Sequence, residues 1–118
     1  MNLSKEEKRY MLHEYLRMIS HLSDKAYQIR IWIRNEGPEC QAFDDAVCDF
    51  FDIGDRILNK YKEFEISEIQ FSLLKNLRDE FEKFSDVHDL PQLFIDTPEW
   101  TKITLMAKKV LEVFNYQN

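Results

Sequence analysis

The chain has 118 residues, of which 44% are hydrophobic and 14% aromatic, and its net charge is −6. A disordered acidic tail would lack these aromatic residues, and an all-β fold would need more tight turns than two glycines and three prolines provide. No run of about 18 apolar residues marks a membrane span, and the charged N-terminus lacks the apolar centre of a signal peptide. We therefore expect a soluble, cytoplasmic, all-α protein with one compact domain over residues 1–118.

The first helix is predicted from about residue 5 to about residue 22. Ser4 and Glu7 have the spacing of a capping box, in which each side chain accepts a hydrogen bond from the backbone of the other residue. Apolar residues follow at near-helical spacing, beginning with Tyr10 and including Tyr15. This pattern predicts an amphipathic helix that buries one side.

A second segment begins at the potential N-cap Ser23-Asp24 and ends near residue 34. Its apolar residues alternate as in a strand, yet Ala26, Ile29 and Ile33 also share one side of a helix. Because no second alternating run exists to pair with a strand, we predict a helix and keep the strand as the alternative. The segment Asn35-Glu36-Gly37-Pro38 then forms the clearest break, with the glycine suited to a left-handed cap.

The third helix is predicted from about residue 41 to about residue 60, with apolar residues at i, i+3, i+4, i+7 and i+8. These residues are Phe43, Ala46, Val47, Phe50, Phe51, Gly54, Ile57 and Leu58. A fourth helix follows the capping pair Ser67 and Gln70, and one turn is expected around Gln92 to Ile95. Thr97-Pro98 opens the last helix, which makes a bundle of about five helices.

Negative charge is concentrated in two segments. Residues 36–55 hold seven carboxylates and no Lys or Arg, a local charge of −7 in a chain whose total is −6. Residues 79–100 hold seven more carboxylates and one basic residue, Lys83. Helical proteins usually intersperse Lys and Arg among surface carboxylates, because like charges three or four positions apart repel by about 0.2–0.5 kcal/mol per pair. We therefore expect a basic protein partner to supply the positive charge that residues 36–55 lack.

The aspartates of the third helix fall within an arc of about 140° on a helical wheel, opposite its apolar residues. We call this set the five-aspartate ridge; with the preceding loop it gives the candidate partner-binding residues Glu36, Glu39, Asp44, Asp45, Asp49, Asp52 and Asp55. Trp32 is a further candidate if it is exposed. Such a ridge accelerates association with a basic surface and selects against acidic ones. The alternative is that the ridge is only the solvated side of an amphipathic helix.

Two other functions are alternatives. Asp45, Asp49 and Asp52 have the i, i+4, i+7 spacing that can hold Mg²⁺, as in the all-α MazG-like nucleotide pyrophosphohydrolases. The facing carboxylates would then be Glu65 and Glu68, or Asp79 and Glu82. A non-catalytic regulatory module would instead use an exposed apolar groove. Neither a nucleophile motif nor a glycine-rich phosphate loop occurs, so we expect no enzyme activity, metal or cofactor.

The chain resembles the small acidic immunity proteins of bacterial contact-dependent growth inhibition and related polymorphic toxin systems. The likeness covers most of the chain in size, helical composition and acidic character, with the acidic segments Asn35–Cys40 and Phe43–Phe51 at its centre. It implies a cytosolic, non-enzymatic, monomeric protein that binds one cognate toxin, often a basic nuclease, and blocks its active site or substrate groove. Direct binding to nucleic acid is not expected, because the ridge and phosphates carry the same sign of charge.

Overall fold

The structure, a computed structural model, describes residues 3–37 and 41–116. Within these ranges the chain contains helices and no strand, which confirms the predicted all-α fold. The helices are α1 (Lys5–Leu22), α2 (an α-helical turn, Lys25–Tyr27, continued by a π-helix, Gln28–Ile33), α3 (Phe43–Asn59), α4 (Glu68–Ser85), α5 (Pro91–Phe94) and α6 (Pro98–Val113), with a 3₁₀ turn at Tyr61–Phe64. None of these helices is both long and apolar enough to cross a membrane.

The four long helices form the body of the molecule. Helices α1 and α4 each pack against both α3 and α6, and the buried side chains of all four belong to one hydrophobic cluster. Around the bundle the long helices therefore follow the order α1, α3, α4 and α6. The short α2 and α5 pack against each other.

The predicted helix starts are confirmed by their hydrogen bonds. The Ser4 hydroxyl accepts from the Glu7 backbone N–H at 3.1 Å, and the Glu7 carboxylate accepts from the Ser4 N–H at 3.0 Å. A second capping box begins α4, and the Thr97 hydroxyl caps α6. Tyr10, the first residue of the apolar pattern of α1, is exposed.

The segment after α1 is helical, but its buried side differs from the predicted one. Ala26 is exposed, whereas the buried residues are Tyr27, Gln28, Ile31 and Trp32. The Arg34 N–H donates to the Ile29 carbonyl five residues earlier, so the chain is wound more widely than an α-helix. The first residue with a left-handed conformation after this helix is Asn35, with φ 54°. Gly37, which the sequence suggested for a left-handed cap, lies two residues later and also has a positive φ, 106°.

Gln28 is a fully buried polar residue at the centre of these contacts. Its side-chain Nε2 donates to the His21 carbonyl at 2.8 Å and to the Leu22 carbonyl at 3.0 Å. Its Oε1 accepts a 2.9 Å hydrogen bond from the indole Nε1 of Trp100. The amide therefore binds carbonyls at the end of α1 and fixes the orientation of an indole on α6, with both of its N–H groups satisfied.

The Trp100 indole lies in a cluster of aromatic rings drawn from all parts of the fold. Its centroid is 4.8 Å from that of Phe94 on α5 and 6.2 Å from that of Phe43 on α3. Phe43 and Phe94 also contact each other directly, with centroids 5.0 Å apart. The cluster thus holds the beginning of α3 against α5, and this determines which surface residues become neighbours.

Gly54 lies where α3 crosses the ring of Tyr15 on α1. A Cβ atom at this position would lie 2.7 Å from the Tyr15 Oη and 2.8 Å from two carbons of the ring. Tyr15 is completely buried, and its hydroxyl has no hydrogen-bond partner in the described structure. Burial raises the pKa of this phenol above its ordinary value. The close packing of α1 on α3 therefore depends on the missing side chain at Gly54.

We expect Gln28→Leu to lower the free energy of unfolding by about 2–3 kcal/mol, because the buried Trp100 N–H loses its acceptor. Urea unfolding followed by circular dichroism measures this change. Gln92→Leu is the matched control, since Gln92 is exposed on α5 and its replacement should change stability by less than about 0.5 kcal/mol. Equal stability of the two variants would contradict the role given to Gln28.

We expect Gly54→Ala to destabilise the protein by about 1–2 kcal/mol, because overpacking against Tyr15 exceeds the gain in helix propensity. At an unobstructed helical position the same change would stabilise by about 1 kcal/mol, so the sign of the effect is diagnostic. A double-mutant cycle tests the cause: in a Tyr15→Leu background, Gly54→Ala should become neutral or stabilising. A rise in melting temperature for the single variant would refute the steric explanation.

Candidate partner-binding surface

Four of the predicted aspartates form an exposed negative surface on α3. We call Asp44, Asp45, Asp49 and Asp52 the α3 acidic face; all four side chains are exposed, on the side of the helix opposite buried residues such as Phe50. Among residues 3–37 and 41–116, no Lys or Arg nitrogen lies within 4.0 Å of any of these four carboxylates. These four charges are therefore uncompensated by ion pairs in the described part of the chain.

The helix itself accounts for only part of this arrangement. Asp44 and Asp45 lie in the first turn of α3, where the unpaired N–H groups and the helix dipole stabilise carboxylates. Ala42, the N-cap, makes no side-chain hydrogen bond, so negative charge in this turn is useful to the helix. Asp49 and Asp52 lie beyond the first turn, where the effect of the dipole has decayed. The helix therefore does not explain the charge at these two positions.

Asp55, the fifth member of the predicted ridge, is paired within the chain. Arg78 on α4 donates from Nε to Asp55 Oδ1 at 2.8 Å and from Nη2 to Asp55 Oδ2 at 3.4 Å. The Asp55 side chain is 46% exposed, against 18% for that of Arg78. The expectation that only an outside partner supplies positive charge to residues 36–55 is therefore wrong at Asp55. Residues 36–55 hold no cation, but α4 brings one across the helix packing.

Arg78 binds three carboxylates at once. Its guanidinium also donates to Asp79 at 3.2 Å and to both carboxylate oxygens of Glu82 at 3.0 Å, and it lies 5.2 Å from the centroid of the Phe51 ring. These hydrogen bonds, with that to Asp55 the largest, raise the pKa of Arg78. The pKa of Asp79 is lowered, mainly by Lys75 and secondarily by Arg78. The guanidinium is thus held in place by three carboxylates and by an aromatic ring.

The same contacts bear on the hydrolase alternative. Asp79 and Glu82, which would face the α3 aspartates across a metal ion, are hydrogen-bonded to Arg78 instead. In the other proposed pair, Glu68 accepts a hydrogen bond from the Tyr61 hydroxyl at 2.6 Å, while Glu65 lies 4.0 Å from the Lys5 ammonium. Within the described ranges, no group of three or more His, Cys, Asp or Glu side chains is arranged to hold a metal ion.

Of the other predicted residues, Glu36 is exposed, Trp32 is buried and Glu39 falls outside the described ranges. Glu36 is exposed just after α2, where its N–H donates to the Arg30 carbonyl at 2.8 Å, and Glu39 lies outside the described residues. Trp32 is buried, with its indole against Phe43 and Trp100, and so it is not available to a partner. The α3 acidic face therefore keeps the four predicted carboxylates that are exposed on α3 and have no cation within 4.0 Å in the described structure.

Four of the seven carboxylates in the second acidic segment have a cation within 4.0 Å in the described structure. Asp79 and Glu82 bind Arg78, Glu80 lies 3.4 Å from the Lys102 ammonium, and Asp96 pairs with Lys25. The exposed carboxylates of this segment that have no cation within 4.0 Å among the described residues are Asp86, Asp89 and Glu99. The second acidic segment is thus partly compensated, by Arg78 on the same helix and by lysines on other helices, whereas the four carboxylates of the α3 acidic face have no cation within 4.0 Å among the described residues.

Comparisons were made with protein-family models, curated proteins and solved structures. None of the three gives a match to this chain. A functional assignment therefore depends on the chemistry of the surface itself. The α3 acidic face offers four exposed carboxylates on a rigid helix, an arrangement suited to ion pairs and charge-assisted hydrogen bonds with Lys and Arg.

Sequence reasoning did not identify Arg78 as a determinant of this surface. Its spacing from Glu82 is that of an i, i+4 pair on one helix, which the sequence could have indicated. Its contact with Asp55 spans 23 positions and depends on how α3 packs against α4, which no local pattern specifies.

We expect Arg78→Gln to lower the free energy of unfolding by about 1 kcal/mol near pH 7, since three carboxylates lose a shared donor at a partly exposed site. The folded-state pKa of Asp79 lies below its ordinary 3.8, so its ionised form contributes stability that is lost as the pH falls through the folded-state pKa. The difference between the wild type and the variant should therefore shrink in acid.

Urea unfolding at about pH 7 and about pH 2.5 tests this expectation. Arg56→Gln is the control, because Arg56 is exposed on α3 and has no carboxylate within 4.0 Å among the described residues. An Arg78→Gln effect that is independent of pH would show that packing on Phe51, rather than ion pairing, is what Arg78 contributes.

Proposed function

We propose that this protein is a bacterial immunity protein that binds and neutralises a basic protein toxin by docking the α3 acidic face on the toxin's active-site cleft. The observation that carries the proposal is that four exposed aspartates on one side of one helix have no cation within 4.0 Å in the described part of the chain. The proposal places the protein in the cytoplasm, where a toxin delivered from outside would act.

The energetic support comes from the spacing of the aspartates. Asp45 and Asp49 are an i, i+4 pair and Asp49 and Asp52 an i, i+3 pair, so each pair destabilises the free helix by about 0.2–0.5 kcal/mol. A partner that supplies Lys or Arg would relieve this repulsion and form charge pairs that accelerate association. The repulsion in the free protein thus becomes part of the free energy available for binding.

The chemistry of a nuclease fits such a face. A nuclease cleft binds phosphates with Lys and Arg, and a row of carboxylates presents negative charge to the same groups. The inhibitor would then compete with nucleic acid for the cleft while being repelled by nucleic acid itself. Charged rim contacts of this kind mainly raise the association rate, which suits a protein that must capture a toxin quickly.

The non-catalytic helical module remains a second candidate, favoured by the exposed apolar side chains Val87, Leu90 and Leu93. A module that binds through apolar contacts alone would be insensitive to salt and to the charge of α3. The salt dependence of binding therefore separates the two functions.

The first test is whether a gene beside this one encodes a large secreted protein with a variable C-terminal domain, and that domain is then the binding partner to be measured. We expect the triple variant Asp45→Asn, Asp49→Asn and Asp52→Asn to bind this domain at least about 100-fold more weakly than the wild type, as expected for loss of interfacial charge pairs. Its affinity should also depend less on salt. Calorimetry and protection of cells that express the toxin domain measure both effects.

The matched control removes the same amount of charge elsewhere. Glu6, Glu99 and Glu112 are exposed acidic residues on α1 and α6, and their replacement by Gln should leave binding within about threefold of the wild type. Absence of such a neighbouring toxin gene, or full protection by the α3 triple variant, would overturn the proposal.

A further inference from the structure

Exposed apolar side chains are concentrated in residues 87–93, which comprise most of the link from α4 to α5 and the first three residues of α5, and which we call the connection between α4 and α5. Val87 is 75% exposed, Leu90 46% and Leu93 73%, and these three are half of the six large hydrophobic residues that are exposed in the described structure. They lie within seven consecutive positions, at i, i+3 and i+6. A concentration of this kind marks an interaction surface, whereas single exposed hydrophobic residues are normal.

The folding of the connection explains why these side chains remain outside. Phe94 and Phe84 turn inward against the Trp100 indole, with centroids 4.8 and 5.2 Å away, and His88 stacks on Phe84 at 4.2 Å. The buried rings fix the backbone of the connection, and Leu93, adjacent to Phe94, is left facing solvent. The exposed side chains are therefore presented by an anchored segment.

This connection lies beside the beginning of the α3 acidic face. The ring of Phe43, the first residue of α3, is 5.0 Å from the ring of Phe94, the last residue of α5. In the sequence, Asp44 directly follows Phe43, and Leu93 directly precedes Phe94. The contact between these buried rings thus places the start of the α3 acidic face and the exposed apolar residues at the same end of the bundle.

A stable protein interface needs an apolar centre, which the α3 acidic face lacks. Stable complexes bury about 800 Å² on each partner, and their strongest contacts are apolar or aromatic side chains in a desolvated centre surrounded by a polar rim. The four carboxylates of α3 provide a rim, but a single row of charged side chains provides no apolar centre. The connection between α4 and α5 provides exposed apolar side chains that could form such a centre.

We propose that Val87, Leu90 and Leu93 are the apolar anchor of the same interface, inserted into an apolar depression beside the basic cleft of the toxin domain. This inference rests on the proposed function. Charge complementarity indicates which partner binds this surface. Asp86 directly precedes Val87, and Asp89 directly precedes Leu90. Both aspartates are exposed and have no cation within 4.0 Å among the described residues. An apolar surface with an acidic border matches an apolar depression with a basic border.

The experiment compares two double variants in binding to the neighbouring toxin domain. Val87→Ser with Leu93→Ser should weaken binding by about tenfold or more, without changing the dependence of the dissociation constant on salt, because apolar contacts are not screened. Ile69→Ser with Leu105→Ser is the matched control, since those residues are 71% and 58% exposed on α4 and α6, away from the connection. The control should bind as the wild type does.

The outcomes separate this inference from the proposed function. If the wild type does not bind the toxin domain, both fail. If the α3 triple variant loses binding but the Val87 and Leu93 variant does not, only the apolar anchor is refuted. If the Ile69 and Leu105 control weakens binding as much as the Val87 and Leu93 variant does, the anchor is also refuted. Methyl NMR of the unmodified protein provides a readout that needs no variant: the signals of Val87, Leu90 and Leu93 should shift on binding, and unchanged signals would overturn the anchor.

Discussion

The hydrogen bond between the Gln28 amide and the Trp100 indole is the interaction on which the arrangement of this protein depends most. It is buried, and it is the point at which the end of α1, the π-helix of α2 and the start of α6 meet. Because the amide fixes the indole, the rings of α3, α4 and α5 pack around an aromatic centre of defined orientation. The proximity of α3 to α5, and with it the shape of the proposed interface, follows from this centre.

The electrostatic character of the surface is decided by which carboxylates find cations on other helices. Arg78 neutralises Asp55 across the packing of α3 on α4 and binds Asp79 and Glu82 on its own helix, while Lys102 and Lys25 pair with other members of the second acidic segment. Compensation within this fold is therefore partial, and it leaves some exposed carboxylates without a cation in the described part of the chain. The α3 acidic face stands out because it escapes this compensation over two turns of helix, and because helix-terminal stabilisation explains its first turn only.

The sequence predicted the long helices well because their signals are local. Capping boxes at Ser4 and Ser67 and the N-cap at Thr97 specify hydrogen bonds within three positions, and all three were found. The segment at Gln28–Ile33 was predicted as a helix but with the wrong buried side. Gln28 is a polar residue in an apolar pattern, and its burial depends on two acceptors at the end of α1 and on the Trp100 donor, which lies 72 positions later on α6. The same limit applies to Trp32, whose burial is set by rings on other helices.

The sequence by itself determined the helical architecture, the caps, and the excess of negative charge on the outer side of α3, since each depends on residues no more than a few turns apart. The tertiary structure decided which charges remain available and what lies beside them. It removed Asp55 from the predicted ridge through Arg78, buried Trp32, and packed the end of α5 against the start of α3 through the contact of Phe94 with Phe43. These outcomes depend on contacts between residues distant in sequence, which periodicity and local spacing do not encode.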